Sequence, residues 1–124
     1  MLRRLSLHMT DQQRVCIAYI AGRLVSGRPS TNVYDHAAQR YFSFSGTFSG
    51  TDVQIYDHTR RSHISGNLKS GTLYDHEAQT HLQLQITGND FTGYDHASGT
   101  HFSGQVRGSA IQLYDNGEYF HYQV

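Results

Sequence analysis

One tripeptide recurs along this chain: Tyr34-Asp35-His36, Tyr56-Asp57-His58, Tyr74-Asp75-His76 and Tyr94-Asp95-His96, then Tyr114-Asp115-Asn116 with its last residue changed. Successive copies begin 22, 18, 20 and 20 residues apart. A period of this size marks a repeated supersecondary unit that buries its apolar face only against its neighbours.

The stretch YDHASGTHFSGQVRGSAIQL, residues 94–113, shows what one unit holds. Polar and apolar residues alternate with period two, as in half-buried strands. Phe102, Gly104 and Val106 fall on one face, and His101, Ser103, Gln105 and Arg107 on the other. Reading Gly108-Ser109 as a two-residue turn sets Val106 opposite Ile111. By the same construction Gly88-Asn89 sets Ile86 opposite Phe91, Ser70-Gly71 sets Leu68 opposite Leu73, Gly50-Thr51 sets Phe48 opposite Val53, and Asn116-Gly117 sets Leu113 opposite Phe120. Each turn carries the glycine that a tight hairpin turn with positive φ requires. The unequal spacings differ by two, which preserves the facing of every side chain, whereas a change of one would reverse it.

This pattern predicts ten strands, near 31–36, 41–49, 52–58, 63–69, 72–76, 81–87, 90–96, 101–107, 110–115 and 118–124. Ahead of them, Thr10-Asp11-Gln12-Gln13 is a capping box, and Val15-Cys16-Ile17-Ala18-Tyr19-Ile20-Ala21 is apolar almost all round, the mark of a buried helix. The chain thus divides into an arm (1–9), a helix (10–25), a linker (26–30) and a β meander (31–124) within a single domain. Ten strands laid flat span roughly 45 Å, while one helix is about 10 Å wide. One helix cannot cover that apolar face. The expected fold is mainly β: a ten-stranded antiparallel up-and-down meander, strongly curled or closed like a barrel around the N-terminal α-helix. The inner-face glycines Gly46, Gly66, Gly93 and Gly104 mark bends or close approach. The competing arrangement is a flatter sheet buried in a homodimer. In kind, hairpin units punctuated by aromatics and glycine resemble MORN repeats and choline-binding repeats. The Tyr-x-Gly pattern of the first and the paired tryptophans of the second are absent, so no functional residue carries over.

Charge narrows the partners. Lys plus Arg equals Asp plus Glu, ten of each. No basic stripe points to nucleic acid and no basic amphipathic helix to a membrane surface. No run is long enough for a transmembrane helix, and no adequate apolar stretch follows Arg3-Arg4 to make a signal peptide. The expected location is cytoplasmic. The single cysteine, Cys16, rules out a disulfide framework within the chain.

Three sets of side chains are candidates for chemistry. Asp35, Asp57, Asp75, Asp95 and Asp115 fall on the apolar face at the start of loops, where a carboxylate caps loop amides as in an Asx-turn. The alternative is a cation or acid–base site at a barrel mouth. The loop after each tripeptide, read as four residues closed by two histidines, sets His58 against His63, His76 against His81 and His96 against His101 on the outer face, and Asp95 opposite Phe102. Opposed imidazoles suit zinc, copper or nickel, although two ligands fall short of a closed structural site. Tyr34, Tyr56, Tyr74, Tyr94 and Tyr114, with Tyr119 opposite Tyr114, form an outer row that offers contact area at low entropic cost. Catalysis has no motif behind it: no Gly-x-Ser-x-Gly, phosphate loop or zinc-protease signature occurs. The expectation is a non-enzymatic module that binds an unknown protein or glycan, or a second copy of itself, through the outer Tyr/His/Gln face. Metal binding by the histidine pairs is the first alternative, and a small-ligand barrel or enzyme the second.

Overall fold

The computed structural model describes residues 9–124. A helix, α1 (Asp11–Ser26), precedes ten strands: β1 (Asn32–Asp35), β2 (Arg40–Ser49), β3 (Asp52–Asp57), β4 (Ser62–Asn67), β5 (Thr72–Asp75), β6 (Thr80–Thr87), β7 (Asp90–Asp95), β8 (Thr100–Arg107), β9 (Ala110–Asp115) and β10 (Glu118–Gln123). Each strand pairs antiparallel with its neighbours in the chain, and β1 also pairs with β10. The sheet is therefore a closed barrel, and the flatter sheet completed by a second copy does not occur. Residues 1–8, most of the arm expected at 1–9, lie outside the described residues; Met9 is buried.

Period-two alternation explains why the sheet closes as it does. Val33, Phe44, Ile55, Ile64, Leu73, Leu84, Phe91, Phe102 and Leu113 all point into the lumen. The same lumen holds α1, whose residues Val15 to Ala21 are at most 1% exposed. Burying a side chain of this size contributes about 1.5–3 kcal/mol, and barrel and helix each lose that term without the other. The helix begins at the predicted capping box, with Thr10 accepting from the Gln13 amide, and ends at Gly27 in the left-handed conformation (φ 72°). It runs one residue beyond the expected end at Val25. Gly22 makes room for Ile111 and Val124. Near the helix C-terminus Tyr19 stacks on Phe44 with centroids 4.5 Å apart, and the Arg23 guanidinium donates to the Tyr19 hydroxyl and the Ser30 carbonyl.

The register agrees with the tight turns at Val106–Ile111, Ile86–Phe91, Phe48–Val53 and Leu113–Phe120. It differs in one hairpin. Leu73 pairs with Gly66 rather than Leu68, because Asn67 opens a longer loop there: its Oδ1 accepts the amides of Lys69 and Ser70, and Gly71 N–H donates to the Asn67 carbonyl. The loops after the tripeptide keep the expected four residues but begin one residue earlier, because the Asp carboxylate captures the loop amides. Asp95 pairs with Thr100 and Tyr94 with His101, not Asp95 with Phe102. The displacement is two residues, so every side chain keeps its predicted face.

Candidate functional site: an inner carboxylate rim and an outer aromatic belt

The Asp of each tripeptide is the last residue of its strand and points inward. Asp35 is 7% exposed, and Asp57, Asp75, Asp95 and Asp115 are fully buried. Four of them close their loops with a carboxylate oxygen that accepts the amides two and three residues on: Asp35 from Ala37 and Ala38, Asp57 from Thr59 and Arg60, Asp75 from Glu77 and Ala78, and Asp95 from Ala97 and Ser98. Each of these loops ends on a residue with positive φ: Gln39, Arg61, Gln79 or Gly99. Asp115 differs from the expected turn cap. Its loop is the two-residue Asn116-Gly117, and its carboxylate instead accepts the Met9 amide at 2.9 Å and an Arg14 N–H at 3.3 Å, which holds the start of α1 against the rim.

Carboxylates packed at one barrel mouth would repel one another and lose hydration unless dressed. Two arginines dress three of the five. Arg60 donates through Nε to Asp57 and through Nη1 to Asp75, both at 2.8 Å, with Glu77 at 3.3 Å on its outer side. Arg14 reaches Asp115, the Met9 carbonyl and Asp11, and lies over the Phe120 ring. Asp95 is served by neutral donors, the two loop amides and the Ser98 hydroxyl at 2.8 Å. The rim is thus a hydrogen-bonded network in which three of the five carboxylates are ion-paired and Asp35 and Asp95 accept from neutral donors.

Cys16 lies directly beneath this network. Its Sγ is 3.5 Å from the Asp57 carboxylate and 3.3 Å from Arg60 Nη2. Burial pushes the thiol well above its ordinary range, and the attraction of the nearby Arg60 guanidinium does not reverse this. Thiolates are the reactive form, so a thiol-reactive dye is expected to label the folded protein at least about a thousandfold more slowly than the protein in urea. The folded chain keeps the proton while the unfolded chain loses it near pH 8.5. Stability is therefore full below about pH 8.5 and falls above it. Urea melts at pH 7.5 and 9.5 test this: Cys16→Ala is expected to lose part of the alkaline decline, and an unchanged decline would contradict the assignment.

On the outer face four of the five tripeptide tyrosines are flanked by two rings, and Tyr114 by one. Tyr74 sits between His76 on its own strand (4.8 Å, 84°) and His81 across the hairpin (4.9 Å, 64°). Tyr56 has His58 and His63, Tyr94 has His96 and His101, Tyr34 has His36 and Tyr41, and Tyr114 has Tyr119. Such edge-to-face packing matches positive ring edges to negative faces and is worth about 0.5–1.5 kcal/mol per pair. The histidines expected to face one another across the hairpin loops instead face tyrosines: Tyr56 pairs with His63, Tyr74 with His81 and Tyr94 with His101. The Asx-closed loop begins one residue earlier than expected, which shifts each partner by two.

Histidine does meet histidine, but between neighbouring hairpins. Tyr74 is level with Ser65 whereas Tyr56 is level with His63, so successive hairpins climb by two residues at this junction. That step brings His76 to His63, and the same step brings His96 to His81; both pairs are joined by backbone hydrogen bonds, as is His36 to His121. His58 meets Ser43 by the same bond. The result is a belt of rings: Tyr56, His63, His76, Tyr74, His81, His96, Tyr94 and His101 in succession, with Tyr114, Tyr119, His121, His36, Tyr34 and Tyr41 continuing it near the β1–β10 junction. Tyr41 and Tyr119 are 63% and 60% exposed and Tyr114 37%, whereas the other belt tyrosines are half-buried.

Arg14, Arg60, Asn67 and Tyr41 carry roles that sequence reasoning passed over. An arginine inside an apolar helix was the available signal for a buried partner of Arg14, and a position three after Asp57 the signal for Arg60. Among the described residues no group of three or more His, Cys, Asp or Glu is placed to hold a metal ion, and no helix is long and apolar enough to cross a membrane. With apolar residues inside and Ser, Thr, Gln, Tyr and His outside, the barrel is the inverse of a transmembrane one. No protein family, curated protein or solved structure matches the chain significantly.

Proposed function

We propose that this protein is a non-enzymatic binding module that uses its outer aromatic belt to recognise an extended or repetitive partner: a glycan, a stretch of protein or a second copy. The observation that carries this reading is the belt itself, because one ring motif recurring around a rigid barrel presents a repeated contact surface rather than a single reaction centre. Beside it, a shallow trough on β7–β9 is lined by Asp90, Thr92, Ser103, Gln105 and Gln112 and bounded by Tyr114 and Tyr119. Aromatic faces beside amides, hydroxyls and the one carboxylate of Asp90 suit a polar ligand rich in hydrogen-bond donors, such as a glycan. The helix occupies the lumen, the space a ligand-carrying barrel would use, and burial raises the pKa of the Cys16 thiol, which weighs against that thiol as a nucleophile.

Tyr41→Ser combined with Tyr119→Ser tests the reading, since both rings are exposed and outside the core. Glycan arrays and sedimentation velocity across a concentration series read binding and self-association separately. The double variant is expected to fold with a melting temperature lower by several degrees, for its two lost edge-to-face pairs, and to weaken the wild-type signal at 25 °C by at least about tenfold, the loss of roughly 1.4 kcal/mol of aromatic contact. Full retention of every wild-type signal would remove the belt from the function.

A further inference from the structure

We propose that His81 and His96 form an open two-imidazole site for a divalent late transition ion, a property separate from partner recognition by the belt. The two residues lie opposite one another on β6 and at the end of β7, joined by the His96 N–H bond to the His81 carbonyl. Both side chains are exposed, with ring centroids 6.4 Å apart and planes at 78°. That separation fits a shared ion. A zinc–imidazole bond of about 2.0–2.1 Å puts the ion roughly 3.2 Å from each ring centre, so two rings on one ion have centroids about 5 Å apart at a tetrahedral angle and about 6.4 Å apart in line. A small side-chain rotation covers that range.

Both rings are also held in place. His96 stands edge-on to Tyr94 at 87° and His81 edge-on to Tyr74 at 64°, each with centroids 4.9 Å apart. The strands beneath are part of a closed barrel, so little freedom remains to be lost when an ion binds. Neutral imidazoles select zinc, copper or nickel over magnesium and calcium, which prefer oxygen. Water completes the coordination, so the site is exchangeable rather than structural. Of the histidine pairs joined by this backbone bond among the described residues, His81/His96 is the one whose rings are in contact. His76 already engages Ser65 through Nε2 at 3.0 Å, which competes with an ion at His63/His76. His58 faces Ser43 and engages Ser45 at 3.0 Å, and so has no imidazole opposite it.

The test is a zinc titration of tag-free apo-protein, followed by calorimetry and by the histidine ring NMR signals, with magnesium as the control ion. Wild type, His96→Asn and His58→Asn are compared; both positions are exposed, and far-UV circular dichroism checks that the barrel forms. The expected result is saturable zinc binding, with the His81 and His96 rings shifting first, no response to magnesium, at least about tenfold weaker binding in His96→Asn, and none of that loss in His58→Asn. Absence of saturable zinc binding in the wild type, or equal weakening in the two variants, would overturn the proposal.

Discussion

Arg60→Ala is expected to destabilise the barrel by about 3–5 kcal/mol, the range for removing one partner of a buried ion pair. The side chain is only 8% exposed, and it is the cation that touches both Asp57 and Asp75, which are fully buried. Without it two carboxylates face each other across neighbouring hairpins in a place water cannot hydrate, and the cost is that of stranded charge rather than of lost attraction. Arg60→Lys is expected to recover only part, because a single ammonium cannot present the separate Nε and Nη1 donors that reach the two carboxylates. Adding Asp75→Asn to Arg60→Ala is expected to restore part of the loss. It removes a charge yet keeps an acceptor for the loop amides, as Asn67 does in its own loop. Urea denaturation of the four proteins reads all of this. A loss below about 1 kcal/mol in Arg60→Ala, the level of a solvent-exposed pair, would mean that water reaches these carboxylates.

The second large effect is expected at Gly93. A Cβ there would lie 2.0 Å from the Gln83 carbonyl oxygen and 2.2 Å from Phe102 Cζ. Phe102 packs across the hairpin onto Gly93, and Phe91 packs onto Gly104 in the same way, so each ring occupies the space its glycine leaves open. Gly93→Ala is expected to cost about 3 kcal/mol or more, at the upper end of overpacking, because the nearest obstacle is backbone and cannot rotate aside. Gly108→Ala is the control. It has open space around its Cβ and only a positive φ of 60° to object to, so about 1 kcal/mol is expected. Combining Gly93→Ala with Phe102→Leu should relieve the ring but not the carbonyl. If Gly93→Ala melts no lower than Gly108→Ala, close approach at this bend is not what holds the barrel's curvature.

Comparing chain and structure shows where each kind of information lies. The strands, their facing and the tight turns at Gly50, Gly88, Gly108 and Asn116-Gly117 were legible because period-two alternation and two-residue turns are local and allow no half-measures. The helix was legible for the same reason, from Thr10 and Gln13 at its start and an apolar surface all round. The sequence narrowed the sheet to a curled or closed form or a flatter one buried against a second copy, since one helix cannot cover a flat sheet of that width; closure itself rests on the pairing of β1 with β10. The loops depart from expectation because their placement and length depend on which amides a side chain captures: Asp95 draws in Ala97 and Ser98 and moves a four-residue loop one residue earlier, and Asn67 draws in Lys69 and Ser70 and lengthens the hairpin read as a tight turn.

The amino-acid order by itself determined the element types, the inward Asp and the outward Tyr and His, because a strand's side chains alternate whatever it pairs with. Only the tertiary structure decided which of them meet. The stagger between hairpins puts His96 on His81 and not on His101, and closure around the helix brings Arg14 to Asp115 and Cys16 to Asp57 and Arg60. Those distances are set by register and curvature summed over all the strands, a property no single segment of the chain contains.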